Sequence, residues 1–256
     1  MWLEAGFWGL VGGSALVLGA AIAWFAPLQQ RVIAAIMAIG SGVLISAVAF
    51  DLMDEAFHQG GFASAAGGFL GGALAYTAAN VFLSRRGARH RKRSGEAAHA
   101  QQPGPEADTG DANTGLAIAV GALLDGIPES VVIGVSLLGG GGVSAVTVAA
   151  VFLSNVPEGL SSAAGMKKAG RSAGYIFGVW GGIAVVSGLA ALLGNVALAG
   201  ASPLLIAAVT AVAAGAILAM LVDTMIPEAT QATHDYSGLI AVVGFLLAFV
   251  LTKMDG

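Results

Sequence analysis

The sequence predicts an all-α polytopic membrane protein with eight transmembrane helices, three before and five after one polar loop. Of its 256 residues, 57% are hydrophobic and only 10% are charged, and the mean hydropathy is +0.84. A soluble domain is about one quarter charged. The apolar residues form long runs, without the alternation that marks membrane β-strands. Since so little polar surface is available, lipid must be the solvent for most of the chain.

Eight apolar runs have the length, about 20 residues, that a helix needs to cross a bilayer. They cover residues 4–26, 32–55, 62–84, 114–138, 143–166, 172–196, 203–226 and 236–253. The segment 85–113 between the third and fourth runs is rich in charge, proline and glycine, which predicts a disordered loop. It divides the chain into spans 1–3, within residues 1–84, and spans 4–8, within residues 114–256.

The basic residues predict the orientation of these spans. Six arginines and lysines lie in the loop 85–113, and Arg31, Lys167, Lys168 and Arg171 lie in loops on the same side of an eight-span arrangement. Basic loops stay in the cytoplasm. We therefore expect a protein of the plasma (inner) membrane with both termini outside. The basic loop is explained by this topology, so nucleic acid is not expected as a partner.

Polar residues interrupt spans 4 and 5 near their centres. In D-G-I-P-E-S, Asp125 and Glu129 are four residues apart and share a helix face. In S-N-V-P-E-G, Ser154 and Asn155 precede Glu158 by four and three residues. A charge at the bilayer centre costs about 2.5–3.5 kcal/mol, so these groups should face the bundle interior. We expect both helices to aim oxygens at one point, where a divalent cation or protons offset the repulsion.

Each motif also contains a proline inside the predicted helix. Pro128 cannot donate to the carbonyl of Leu124, and Pro157 cannot donate to that of Leu153. Each helix should therefore kink and expose a backbone oxygen just before the carboxylates. Broken helices at the bilayer midplane are typical of ion sites in transporters. The two motifs together indicate a mid-membrane cation site.

At these residues the sequence resembles the ZIP (Zrt/Irt-like) divalent-metal transporters, in their bacterial branch. The family has eight spans, external termini and a long cytoplasmic loop between spans 3 and 4, as expected here. Its span 4 pattern, His-Asn-x-Pro-Glu-Gly, compares with D-G-I-P-E-S, and its span 5 pattern, with proline followed by His or Glu, compares with S-N-V-P-E-G. The resemblance covers the whole chain by architecture and mainly spans 4, 5 and 7 by motif.

The resemblance implies a metal site between spans 4 and 5. By position the ligands would be Asp125, Glu129, Asn155 and Glu158, with Ser154 as a weak one. Glycine replaces one Asn of the family pattern, and span 6 has no carboxylate, so one metal is expected. Zinc is the substrate that the family implies. The set lacks His and Cys, however, which favours Mn²⁺, Fe(II) or another hard cation.

Two further acidic clusters lie at the ends of spans 2 and 7. Asp51, Asp54, Glu55 and His58 would form an outer gateway that concentrates cations. An ordinary solvated helix end explains the same residues equally well. Asp223, Glu228 and His234 would form an inner exit, and the alternative is a set of interface residues before a proline stop.

Three functions stay open at this point. The first is a transporter, not an enzyme, that takes a divalent cation as its substrate and needs no cofactor. The second is a degenerate ZIP relative that no longer transports. The third is an intramembrane enzyme in which Asp125 shares protons with Glu129 or Glu158. The glycine-rich stretch G-G-F-L-G-G, residues 67–72, allows a homodimer within the bilayer.

Overall fold

The computed structural model describes residues 1–26, 28–83, 111–139 and 145–255. All regular elements within these residues are helical, which confirms the predicted all-α class. The helices are α1 (Trp2–Phe25), α2 (Gln30–Ala47), α3 (Met53–Leu83), α4 (Asp111–Ser136), α5 (Ala145–Lys168), α6 (Ala173–Leu198), α7 (Pro203–Met220), α8 (Ile226–Thr233) and α9 (Ser237–Asp255). Two π-helical turns, Val48–Leu52 and Leu221–Met225, join α2 to α3 and α7 to α8, and short 3₁₀ turns follow α4 and α8.

Several of these helices have the length and composition of membrane spans. Within the described residues, five helical stretches are long and apolar enough to cross a bilayer: Trp2–Phe25, Gln30–Leu83, Ala173–Leu198, Pro203–Gln231 and Ser237–Met254. The helices α4 and α5 contain the proline and acidic motifs. The protein is therefore membrane-embedded, as the composition predicts.

The distribution of polarity supports the same conclusion. Large apolar side chains such as Leu193, Leu204 and Leu246 are at least half exposed. Carboxylates such as Asp125 and Glu129 are each only 1% exposed. In a water-soluble protein charged side chains are almost never fully buried unless they are paired, and large exposed apolar patches are rare. An apolar exterior around a polar interior is the arrangement that a lipid solvent requires.

The long helical stretch Gln30–Leu83 consists of two helical segments and is not one continuous helix. A continuous helix of 54 residues would be about 81 Å long, well over twice the hydrocarbon thickness of a bilayer. At Gly61 the backbone leaves the helical region, with φ 70° and ψ 177°. This positive φ is a conformation that glycine adopts at little cost.

Contacts with α7 and the turn that follows it show that the chain reverses at this glycine. Along α2, Gly40 lies near Met225, and the later residue Leu52 lies near Ile217, so α2 runs antiparallel to α7. Along α3, Gly60 lies near Ala207 and the later Gly72 near Val212, so α3 beyond Gly61 runs parallel to α7. The reversal falls between the predicted runs 32–55 and 62–84.

Glycines allow the helices to approach closely. At the α1–α5 crossing, a Cβ on Gly19 or on Gly159 would collide with the backbone of the other helix. The same holds for Gly72 and Gly215 where α3 meets α7. Small residues at such crossings let packing replace the hydrophobic effect, which is absent between helices in lipid.

The glycine-rich stretch 67–72, which allowed a homodimer, is used partly inside the chain. Gly68 and Gly72 pack against α7, whereas a Cβ on Gly67 or Gly71 would meet open space. One side of this stretch therefore contributes to the fold of the monomer, and its other side faces outward.

The basic residues at the end of α5 lie against the connection between α1 and α2. Lys167 Nζ lies 5.2 Å from the centre of the Trp24 ring, and Lys168 Nζ donates to Gln30 Oε1 at 3.1 Å. These contacts place two of the predicted cytoplasmic loops at the same end of the bundle. The predicted loop 85–113 lies outside the described residues except for 111–113, which form the start of α4.

Candidate functional site

The two carboxylates of α4 are fully buried, although Pro128 interrupts the hydrogen bonding of their helix. Asp125 receives a hydrogen bond from another helix: Tyr76 Oη on α3 donates to Asp125 Oδ1 at 2.9 Å. Tyr76 itself is only 2% exposed. Glu129, one turn further along α4, is as deeply buried as Asp125. The structure thus places both acids inside the bundle, as predicted, and adds a phenol that the sequence analysis missed.

The polar residues of α5 have different partners. Asn155 is 4% exposed and its Nδ2 donates to the Gly12 carbonyl on α1 at 3.0 Å. The hydroxyl of Ser154 donates to the Val151 carbonyl of its own helix at 2.9 Å. Asn155 therefore ties α5 to α1, and the Ser154 hydroxyl donates within α5.

Glu158 lines a small cavity together with an acid from the other end of the chain. The cavity is about 10 Å³ in volume and is lined by Met37, Glu158, Thr224, Met225 and Glu228, so it has room for about one water molecule. Both glutamates are buried, at 6% and 5% exposure. We call this space the Glu158 cavity.

A hydroxyl of α5 also contacts the second acid of this cavity. Ser161 Oγ donates to Glu228 Oε1 in a short hydrogen bond. Glu228 was predicted as part of an inner exit, and the structure places it in the interior beside Glu158. By its burial it therefore belongs with the buried acids of α4 and α5.

A second cavity of about 10 Å³ lies further along the same helices. Its lining combines residues of α2, α4, α5 and α7 with Asp51 of the π-helical turn, and includes Val132, Thr147, Val151 and Ile217. Asp51 is half-buried. We call this space the Asp51 cavity. Of the four predicted gateway residues, Asp51 is the one that faces the interior.

The two cavities are stacked along α2 and α5, which contribute to the lining of both. Between their levels, Pro157 of α5 lies against Gly40 of α2, where a Cβ would collide with the proline ring. Val151 of the Asp51 cavity and Glu158 of the Glu158 cavity are seven residues apart on α5, which corresponds to about 10 Å along the helix. Pro157, inside the continuous helix α5, therefore lies between two small spaces that are each lined by an acid.

The other gateway residues remain at the surface with local partners. Asp54 and His58 form an exposed pair, with Oδ1 and Nε2 3.6 Å apart. Gln59 Nε2 donates to Glu55 Oε1 at 3.0 Å, and this pair is also exposed. The four predicted gateway residues therefore lie in two environments: Asp51 lines a cavity, and the other three are exposed at the start of α3.

The predicted exit residues also lie in different environments. Asp223, in the π-helical turn after α7, is exposed and receives a hydrogen bond from Asn80 Nδ2 of α3 at 3.2 Å. Glu228 is buried in the Glu158 cavity. The side chain of His234 lies outside the described part of the structure.

The predicted ligands do not meet as one cluster in this conformation. Within the described ranges, no group of three or more His, Asp or Glu side chains is placed to hold a metal ion. The reason lies in the helix packing. α4 packs mainly against α6, and α5 mainly against α1 and α2, so α4 and α5 touch each other little. Asp125 instead contacts Tyr76 of α3, and Glu158 lines a cavity with residues of α2 and α8.

Sequence reasoning missed three polar residues that contact the buried or exit acids: Tyr76, Asn80 and Ser161. The sequence contains a spacing that could have indicated each of these residues. Tyr76 and Asn80 are four residues apart in an otherwise apolar span, and Ser161 follows Glu158 by three residues. Such spacings place side chains on one helix face. They do not say which acid on which other helix would be the partner.

Comparison with known proteins adds no assignment. No family model matches the chain, and no curated protein matches its sequence. The fold and the buried polar residues are therefore the observations on which a function can be argued.

Proposed function

We propose that the protein moves a divalent metal cation across the membrane into the cytoplasm, in the manner of a ZIP-type transporter. The observation that carries the proposal is the burial of acids within apolar helices. Asp125, Glu129, Glu158 and Glu228 are each at most 6% exposed. Ionisable groups at membrane depth are expensive, and they mark ion and substrate pathways.

The two cavities support a pathway through these acids. The Asp51 cavity and the Glu158 cavity lie one above the other along α2 and α5, and each has an acidic residue among the residues that line it. An acid beside such a space favours a cation over an anion. A cation entering beside Asp51 would pass Pro157 and reach Glu158 and Glu228. Small spaces separated by a packed constriction suit a carrier that opens on one side at a time.

Eight spans form part of the proposal. Support comes from the directions of the helices: α1 runs parallel to α5 and antiparallel to α6, and α3 runs parallel to α7 and antiparallel to α2. These relations fit alternate crossings of one bilayer, with α7, the second π-helical turn and α8 forming one span. With the basic loops in the cytoplasm, both termini would be outside. The plasma (inner) membrane is the proposed location.

The chemistry of the acids limits the substrate. The buried groups that could bind a cation are carboxylates, an amide and a hydroxyl, all of them oxygen donors. Oxygen sets suit Mn²⁺ and Mg²⁺ and tolerate Fe(II), whereas zinc favours imidazole and thiolate. Zinc is a candidate substrate because the sequence resembles ZIP transporters. Mn²⁺ and Fe(II) are candidates because the buried donors are all oxygens.

Binding requires a conformation in which the ligands are closer together. In the described structure Asp125 and Glu158 belong to helices that touch little. We propose that a shift of α5, with its partners α1 and α2, toward α4 brings Glu129 and Glu158 to the same cation. Such a shift between helix groups is the motion that alternating access needs.

Uptake into proteoliposomes tests the function. Purified protein would be reconstituted and supplied in turn with Zn²⁺, Mn²⁺, Fe²⁺, Co²⁺, Cd²⁺ and Mg²⁺. Saturable uptake of one or two ions, lost in Glu158→Gln and retained in Glu4→Gln, is the expected result. Glu4 is a suitable control because it is an exposed acid near the N-terminus.

A second candidate function is a ZIP relative that does not transport. The lack of a group of three ionisable ligands among the described side chains favours it. This candidate predicts folded protein with no uptake of any of the six ions, and the same thermal stability with and without them. The uptake experiment therefore separates the two functions.

A further inference from the structure

One face of α3 carries two polar residues that each contact an aspartate from a different part of the chain. Tyr76 and Asn80 are four residues apart, so they lie on the same side of the helix. Tyr76 Oη donates to Asp125 of α4 at 2.9 Å, and Asn80 Nδ2 donates to Asp223 after α7 at 3.2 Å.

The two aspartates differ sharply in exposure. Asp125 is 1% exposed, whereas Asp223 is exposed. Their two donors are separated by about 6 Å along α3. One turn of α3 therefore separates the contact with an interior acid from the contact with a surface acid. The surface contact is the one nearer to Leu83, where α3 ends and the basic segment of the sequence follows.

The chemistry of the two donors suits a cation route. A phenol and an amide orient a carboxylate by hydrogen bonding and carry no positive charge. A lysine or arginine in either place would neutralise the aspartate and repel a passing cation. With Tyr76 and Asn80, both aspartates keep their attraction for a cation while their positions are fixed.

We propose that this face of α3 is the exit branch of the cation pathway, with Tyr76 as the positioning residue that holds Asp125 and Asn80 as the one that holds Asp223 at the point of release. The inference rests on the proposed transport function and deepens it. Tyr76 controls how tightly the cation binds in the interior. Asp223 and Asn80 control how fast it leaves.

The test compares tyrosine variants with matched chemistry. Tyr76→Phe removes one hydroxyl and keeps the ring that packs in the core. Tyr175→Phe is the control, because the Tyr175 hydroxyl is buried without a hydrogen-bond partner among the described residues. The ion that wild type transports would be titrated into each detergent-solubilised protein for Kd, and initial uptake rates would be measured in proteoliposomes.

The expected results separate binding from release. Tyr76→Phe should weaken cation binding about tenfold, since it removes a hydrogen bond to a charged group, and Tyr175→Phe should stay within about twofold of wild type. Asp223→Asn and Asn80→Leu should leave Kd within about twofold and lower the maximal uptake rate about tenfold. Because Asp223 is exposed, its variant tests the exit branch even if Tyr76→Phe fails to fold.

Two outcomes would overturn the inference, and they are distinguishable. If wild type transports and Tyr76→Phe and Asp223→Asn both behave like Tyr175→Phe, the exit branch does not exist while the transport function stands. If wild type neither binds nor transports any of the ions, both the proposed transport function and the exit branch are wrong.

Discussion

Two groups of ionisable residues in this chain have similar sequence patterns and opposite environments. The buried group is Asp125, Glu129, Glu158 and Glu228; the corner group is Asp54, Glu55 and His58 at the start of α3. Both contain side chains four residues apart on one helix face. Members of the buried group are at most 6% exposed, whereas the Asp54 and His58 side chains are 63% and 72% exposed.

The partners of the two groups differ as clearly as their exposure. In the corner group, His58 and Gln59 are contributed by the same helical turn as the acids they contact. In the buried group, Asp125 contacts Tyr76 of α3, and Glu228 contacts Ser161 of α5. Exposed pairs contribute little to stability because water screens them. Buried acids need partners from other helices, so their environment is set by tertiary packing.

The largest effect is expected from the buried group. Glu158→Gln keeps the shape of the side chain and removes its charge, so uptake should fall at least about 100-fold, because a cation bound there would lose a buried opposite charge, which costs about 2–5 kcal/mol of binding. The measurement is the initial uptake rate in proteoliposomes beside Glu4→Gln. Equal rates for the two variants would show that burial does not distinguish functional acids here.

A smaller effect is expected at the second acid of the Glu158 cavity. Glu228→Gln should lower uptake about tenfold, since it weakens the attraction for a cation beside Glu158 and the hydrogen bond from Ser161. Ser161→Ala, assayed in parallel, removes only the hydrogen bond and should lower uptake less. A Glu228→Gln protein with wild-type uptake would assign Glu228 to helix packing and not to the pathway.

The sequence predicts the helical class and the burial of the acids, because both follow from hydropathy. The helix Trp2–Phe25 agrees closely with the predicted run 4–26, and the positive φ of Gly61 lies between the runs 32–55 and 62–84. The partners of the acids could not be predicted. They depend on which glycines meet at helix crossings, as Gly19 and Gly159 do. For the same reason the expected meeting of α4 and α5 is not found among the described side chains.

Asp51 is less exposed than the corner group and more exposed than the buried group, so a variant at this position should have an intermediate effect. It is half-buried and lines the Asp51 cavity. Asp51→Asn should raise the KM for the cation about threefold and leave the maximal rate unchanged, since it removes local attraction at the entrance. The dependence of initial rate on cation concentration checks this prediction. A reduced maximal rate with unchanged KM would instead place Asp51 on the translocation step.

The smallest effect is expected from the corner group. The double variant Asp54→Asn with Glu55→Gln should change KM by less than about twofold at an ionic strength of about 0.15 M, where exposed charges are screened. At about 0.01 M the same variant should show a larger increase in KM. Initial uptake rates, measured against cation concentration at both ionic strengths, give the KM values that test this prediction. A large, salt-independent loss of uptake would make the corner group a binding site and erase its difference from the buried group.

Equilibrium binding of Mn²⁺ and Zn²⁺ tests the central claim most directly, namely that the buried acids hold a divalent cation. Isothermal titration of the detergent-solubilised protein would be run for wild type, Glu158→Gln and Glu4→Gln. We predict saturable binding of one cation by wild type and by Glu4→Gln, and at least about 100-fold weaker binding by Glu158→Gln. Binding of the same strength in all three proteins would contradict the account, because the cation would then be held elsewhere than at the buried acids.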